Sequence, residues 1–361
     1  FRKLAIRYPD QIEILFYSFS RVSQNEHTSQ KSQTDLLLEE LSALRGAHTA
    51  PRRVQICTQL LELISKKDQP ELWGNINGEL AYSYGENPIG DKKTNIELAI
   101  QQYADALSVF SVLDYPSKWV VTNTNLADMY IRRMEENRTD NLTHARDLCE
   151  QVLGYSEIDS FPFEKSQAAI NLAISCSLLD EINLTDTRNE IIELYKIALG
   201  LISQDKLPMQ WANSHLGIAD ALFRNKLSEA PKNVELAVMH YELAKKIFNK
   251  FSMDDNLVRL NYSLGLAYSL LDNSNSSNNL VKAIECHQDV LAHSNCDESV
   301  DLCAKCHVNL GRWFQSIDRF NKSIFHYEQA LLSIRREKEP AIWGEIHHKI
   351  GLAYLKLVDF Q

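Results

Sequence analysis

The feature that most constrains this chain is a recurrence of proline. Pro70, Pro116, Pro162 and Pro208 stand 46 residues apart. Continuing the count reaches Asp254 and Val300, and Pro340 follows after 40 residues. Residues 70–339 therefore hold five units of 46 and one of 40, and a seventh unit begins at Pro340. A fixed period of this length marks a repeat architecture, in which each unit buries its apolar face only against its neighbours.

Other positions keep the register. Three residues after the starts stand Trp73, Trp119, Lys165, Trp211, Leu257, Cys303 and Trp343. Eleven after stand Ala81, Ala127, Ala173, Ala219, Gly265, Gly311 and Gly351, all small. An aliphatic residue precedes each small one (Leu80 to Ile350), and an aromatic or apolar one follows three later (Tyr84 to Tyr354). These offsets share one helical face, and the small residue admits a neighbouring helix closely. A second amphipathic helix follows, placed at Asn95 to Phe110 in the first unit, with Ala99, Tyr103 and Ala106 on one face. Its counterparts carry Ala145 and Cys149, Ile191 and Tyr195, Ala237 and Tyr241, Ala283 and His287, and Ser323 and Tyr327. The stretches 86–91 and 273–279 are polar and turn-prone, and are expected as loops. The expected fold is all-α: a right-handed α-solenoid of helix–loop–helix repeats.

Composition agrees. Hydrophobic residues make up 44% and charged residues 24%, which suits a packed core and excludes disorder over most of the length. Gly and Pro are scarce, at 12 and 9 of 361 residues, against a turn-rich all-β fold. The net charge of −10 argues against general nucleic-acid binding and against an anionic membrane surface. No run of 18 apolar residues occurs. Seven scattered cysteines are expected as reduced thiols of a cytoplasmic protein.

Residues 1–47 fall outside the register and are expected as a helical cap, with one helix over 12–22 and another capped by Thr34 and running to Leu44. Residues 48–361 form the array, opening on a degenerate half-unit over 48–69 whose helix spans 52–66. The chain starts at Phe1 and its seventh unit stops after one helix, so a piece of a longer protein is expected.

Leu264, Gly265 and Tyr268, with Ala237, Tyr241 and Ala244, resemble the two helices of the tetratricopeptide repeat (TPR). The long form, seen in Pro208-Met-Gln-Trp211-Ala212 and Asn95-Ile-Glu-Leu-Ala-Ile100, resembles the arrays that precede CHAT domains, caspase-like domains of bacterial proteins. The resemblance covers about residues 48–361 and includes no catalytic segment. It implies that the first helices line a concave binding surface. The groove positions it selects are Tyr82, Asp128, Ile174, Asp220, Leu266, Arg312 and Leu352, followed by Arg132, Arg224 and Lys356. The charged members, with Tyr82, describe a mixed groove for a protein or peptide partner, unlike a Lys/Arg clamp for acidic tails.

Competing chemistry is thin. Cys303-Ala-Lys-Cys306-His307 matches a c-type haem attachment sequence, and Cys286 to His307 gathers four cysteines and three histidines of a type zinc would take. Yet Cys303 stands at the Trp position and His307 aligns with Asn77 and Asn123, so both sit where the repeat places them. Adjacent carboxylates such as Glu39-Glu40, Glu135-Glu136 and Asp254-Asp255 do not face each other on a helix. No catalytic residue, cofactor or metal is expected. The sequence thus favours a regulatory protein-interaction scaffold, with a bacterial effector's sensor arm and a metal or haem protein as alternatives.

Overall fold

The computed structural model describes residues 32–134, 137–183, 187–224, 230–271 and 276–359. Among these residues every regular element is helical, and the chain divides into two compact units after Gln210, at the opening of the fourth repeat.

The first unit runs through α1 (Gln33–Ala43), α2 (Ala50–Leu63), α3 (Pro70–Glu86), α4 (Lys92–Leu107), α5 (Pro116–Arg132), α6 (Arg138–Leu153), α7 (Pro162–Asn183) and α8 (Arg188–Leu201). The second holds α9 (Pro208–Arg224), α10 (Ala230–Lys250), α11 (Asp254–Ser269), α12 (Ser276–His293), α13 (Val300–Ser316), α14 (Phe320–Leu331) and α15 (Pro340–Asp359). Six first helices open at the residue that the 46-residue count selects, and the seventh opens at Pro340, 40 residues on. Proline suits that place because the first turn has no intrahelical acceptor for its missing N–H. Consecutive helices pack on one another from α2 to α8 and again from α10 to α15.

The small position does the work its pattern implies. Ala81, Ala127, Ala173 and Ala219 have no exposed surface, and Tyr103 and Tyr241 are buried on the second helices of the first and fourth repeats. Where the position is glycine, the second helix comes closer still. A Cβ at Gly265 would lie 2.5 Å from the His287 ring, and one at Gly311 would lie 2.7 Å from the Tyr327 ring.

The turns between paired helices are built locally. In the first repeat Gly90 takes φ +89°, which only glycine adopts freely. Asp91 caps α4 by accepting from the Thr94 amide at 2.8 Å, and the Asn95 amide ties the loop down through the Ile89 carbonyl at 3.0 Å. In the short sixth repeat the loop shrinks to a tight turn at Asp318, where the Arg319 amide donates to the Phe314 carbonyl at 2.9 Å.

The linker into three of the first helices is also clasped. Lys66 lies 5.3 Å from the Trp73 ring and Arg336 lies 5.4 Å from the Trp343 ring, seven residues apart in each case. The sixth repeat has Cys296 and Cys303 at these two positions, and they form a disulfide.

Several expectations are corrected. Cys296 and Cys303 are not reduced thiols, because the linker folds Cys296 back onto the first turn of α13. The remaining cysteines, Cys57, Cys149, Cys176, Cys286 and Cys306, are free and buried. Helix α1 is capped by Ser32 rather than Thr34, and Asp35 completes a capping box by accepting from the Ser32 amide. Helix α4 starts three residues before Asn95, at the residue after its cap. Ser276–Asn279, expected in a loop, form the first turn of α12. The helix expected over 12–22 and the pair Glu135-Glu136 lie outside the described residues.

Candidate interaction surface

The groove residues selected in the first unit come together. Tyr82 lies on α3, and Asp128 and Arg132 lie one turn apart on α5. The Arg132 guanidinium reaches the Asp128 carboxylate at 3.2 Å and the Glu86 carboxylate at 3.4 Å. It also donates to the Gly85 carbonyl at 2.6 Å, so the cation closes the C-terminal end of α3, where the helix dipole is negative. Beneath this layer Arg53 of α2 meets Glu79 of α3 at 3.0 Å, and both side chains are almost wholly buried. The Arg53 guanidinium sits 5.1 Å from the Tyr82 ring. Three first-helix-face carboxylates and two guanidiniums thus interlock α2, α3 and α5.

The electrostatics follow from burial. Loss of water pushes the Glu79 and Glu86 carboxyls above the usual range, although Arg53 and Arg132 pull them back. Burial likewise raises the Tyr82 phenol to about 12, with Glu86 adding to it. Burial also opposes the Arg132 charge, but Asp128 and Glu86 outweigh it and its pKa is raised.

In the second unit the selected residues are dispersed. Asp220 accepts from the Tyr241 hydroxyl at 2.7 Å and pairs with Arg259 at 2.8 Å. Arg312 is exposed and approaches Glu345 at 3.6 Å, a surface pair of small energetic weight. Arg224 and Lys356 are exposed near the C-terminal ends of α9 and α15. The apolar positions differ too: Ile174 and Leu266 are half-buried and Leu352 is exposed.

A recess of about 360 Å³ opens in this unit, walled by α11, α13 and the entry to α15. Its rim carries Asp301, Lys305, Asn309 and Glu339, with Tyr262 and Ile342 as apolar walls. Lys305 and Asn309 lie on the same helical stripe as Arg312. Sequence reasoning missed this recess, and it missed Arg53, Glu79, Glu86 and Arg259. One signal was present: Glu86 and Arg132 are 46 residues apart, one full period.

The disulfide withdraws Cys303 from the haem-like motif and from any zinc set. Cys286 and Cys306 are buried, and burial raises each thiol to about 12, away from the thiolate that ligation needs. His287 fills the core aromatic position, stacked on Tyr262 with centroids 5.2 Å apart. His215 meets His240 at 2.7 Å, and His307 meets His326 at 2.9 Å, each Nδ1 to Nδ1. No three His, Cys, Asp or Glu side chains converge in a metal-like group among the described residues. No described helix is long and apolar enough to cross a membrane. The expectation of a cytoplasmic site leaned on reduced thiols, and the disulfide removes that support for two of them.

No protein-family model matches the sequence, and none of the curated proteins does. A chain of the APC/C hetero-tetramer Cut9–Hcn1 is similar at 18% identity with a TM-score of 0.42. That match covers 90% of this chain and 49% of the other, so this chain spans about half its length. The apo form of RapI is similar at 14% identity with a TM-score of 0.51, over 92% of this chain and 89% of that one. The likeness is one of fold: a TPR-like stack of paired helices.

Proposed function

We propose that the chain is a protein-interaction scaffold without covalent chemistry, which takes a peptide or protein partner on the concave face lined by its first helices. The observation that carries this reading is the contrast between the first helices of the two units. Charged groups in the first unit are locked into a helix-spanning lattice, while Arg312, Lys305 and the recess beside them stand open in the second. A rigid frame bearing adaptable polar contacts suits recognition, because little ordering cost is left for the binding step.

In this reading residues 48–361 act as the array and 1–47 as its cap. Tyr82, Asp128, Arg132 and Asp220 shape the face, and Arg224, Arg312 and Lys356 touch the partner. The similarity of the long repeat to CHAT-preceding arrays supports a second version, in which the chain is the sensor or regulatory arm of a larger bacterial effector and the partner is a C-terminal effector domain of the same chain. The buried, raised thiols support the absence of cysteine catalysis.

The test is affinity capture with the wild-type chain and with Arg224→Glu/Arg312→Glu/Lys356→Glu, read by quantitative mass spectrometry. Loss of the same specific partners from the triple variant, with an unchanged thermal melt, is the expected result. An identical partner set from both chains would overturn the assignment of this face.

A further inference from the structure

The recess of the second unit has a filled counterpart in the first. Between the first and second repeats, Lys118 at the start of α5 donates to the Glu71 carboxylate of α3 at 2.5 Å. Its ammonium also lies 5.3 Å from the Phe110 ring and 5.7 Å from the Tyr115 ring. Only 13% of the Lys118 side chain is exposed, so the joint between α3 and α5 holds this cation well out of water.

The repeat count carries these four positions onto the sixth and seventh repeats. Asp301 stands at the place of Glu71, Ile334 at that of Phe110, Glu339 at that of Tyr115 and Ile342 at that of Lys118. All four line the recess. The carboxylate is thus kept and a second one added, while the cation is gone. Both rings and the lysine give way to smaller side chains, and a space of about 360 Å³ stands in their place. The opening is therefore set by the side chains at 334, 339 and 342, all of them within the packed chain. Asp301 and Glu339 are exposed, and no Lys or Arg nitrogen lies within 4 Å of either carboxylate among the described residues. Lys305 shares the rim one turn on from Asp301, and the same holds for it.

We propose that this recess takes the side chain of a lysine presented by the partner protein, its ammonium meeting Asp301 and Glu339 and its methylenes lying along Ile334 and Ile342. The chemistry copies Lys118: a carboxylate receives the charged head while apolar walls cover the stem. Glu339 replaces the cation–ring contact of Tyr115 with a second charge-assisted bond. A neutral side chain of the same length would leave both carboxylates without a counter-charge, which gives the site its selectivity. This deepens the scaffold reading above, and rests on it, by naming one side chain that the partner must carry.

The probe is Nα-acetyl-lysine N-methylamide, titrated into the 361-residue chain and followed by the isoleucine methyl signals in NMR. Saturable shifts at Ile334 and Ile342 are expected. The Nζ-acetylated form of the probe, which has no charge, should bind at least tenfold more weakly. Asp301→Asn/Glu339→Gln should weaken the charged probe at least tenfold, and with both residues exposed and unpaired the melt should not move. Ile342→Lys restores the residue of the second repeat and should shut the probe out, read at Ile334, with a melt at or above the parent's. Equal affinity for the two probes would overturn the proposal, as would equal affinity of the parent and the double variant, or no saturable shift at the solubility limit of the probe. The titration needs no partner, so its failure is distinct from that of the capture experiment: probe binding at the recess with no partner captured would fault the scaffold reading alone.

Discussion

The Arg53–Glu79 pair shows how much one buried contact is asked to hold. Each side chain is under 5% exposed, so neither charge has water to fall back on. Removing one partner leaves the other charged and dry, which costs about 3–5 kcal/mol. Glu79→Gln is therefore expected to lower the melting temperature clearly, while Arg53→Met/Glu79→Leu should recover much of the loss. The glycines give a second test at this scale. Gly311→Ala drives a methyl into the Tyr327 ring and should destabilise by about 1–3 kcal/mol. Gly351→Ala meets nothing and should stabilise by about 0.5–1 kcal/mol through helix propensity. Equal thermal shifts for the two substitutions would contradict the packing described above.

At the scale of single elements, the disulfide is a covalent form of a clasp that the first and seventh repeats make with a cation and a tryptophan. Lys66 and Trp73, Arg336 and Trp343, and Cys296 and Cys303 occupy the same two register positions. The register placed Cys303 at the tryptophan position, but a period read along helices says nothing about the path of the linker. The pairing partner was therefore invisible until the backbone was in view. The same reason hid Glu86 behind Arg132, since the sequence shows their spacing but not that the side chains turn toward each other. Denaturing alkylation without reductant should modify five of the seven cysteines. Cys296→Ser should cost about 2–3 kcal/mol, the loop-closure entropy of so short a ring. By contrast, the starts of the first helices were legible to the residue from the register that the prolines set, while the expected bounds of α2 and α4 were off by two or three residues. The cap of α1 was misplaced by two residues because Ser32 and Asp35 form a reciprocal pair that outcompetes Thr34.

For the molecule as a whole, histidine chemistry sets the response to pH. His215, His287 and His326 are each pushed down to about 4, chiefly by burial. His240 adds repulsion to His215, and His307 and Lys322 add it to His326. An unfolded histidine titrates at its ordinary 6.5, so below that pH the unfolded chain takes up protons the folded chain refuses. Stability should be full above pH 6.5, fall as the pH drops toward 4, and level off below. Glu79 and Glu86 have the opposite sign, since their raised carboxyls favour the fold more at low pH. Comparing thermal melts of the parent with His215→Asn/His287→Tyr/His326→Gln separates the two effects. The triple variant should show a flatter profile between pH 6.5 and 5, and an unchanged slope would reject the histidine account. Asparagine and tyrosine are apt replacements because other repeats carry them at these positions, as Asn77, Asn123 and Tyr103 do.

The tight turn at Asp318 has a consequence for how such a chain can change length. Six residues are missing from the sixth repeat: compared with the first repeat, the turn before α14 is two residues shorter and α14 itself four residues shorter, while α13 keeps its length. The turn and the start of the second helix thus tolerate insertion or deletion while the first helices keep their faces. The turn around Gly90, with Ile89 exposed at its tip, is accordingly the place to graft an epitope or a fluorophore for following the protein without altering the faces of its first helices.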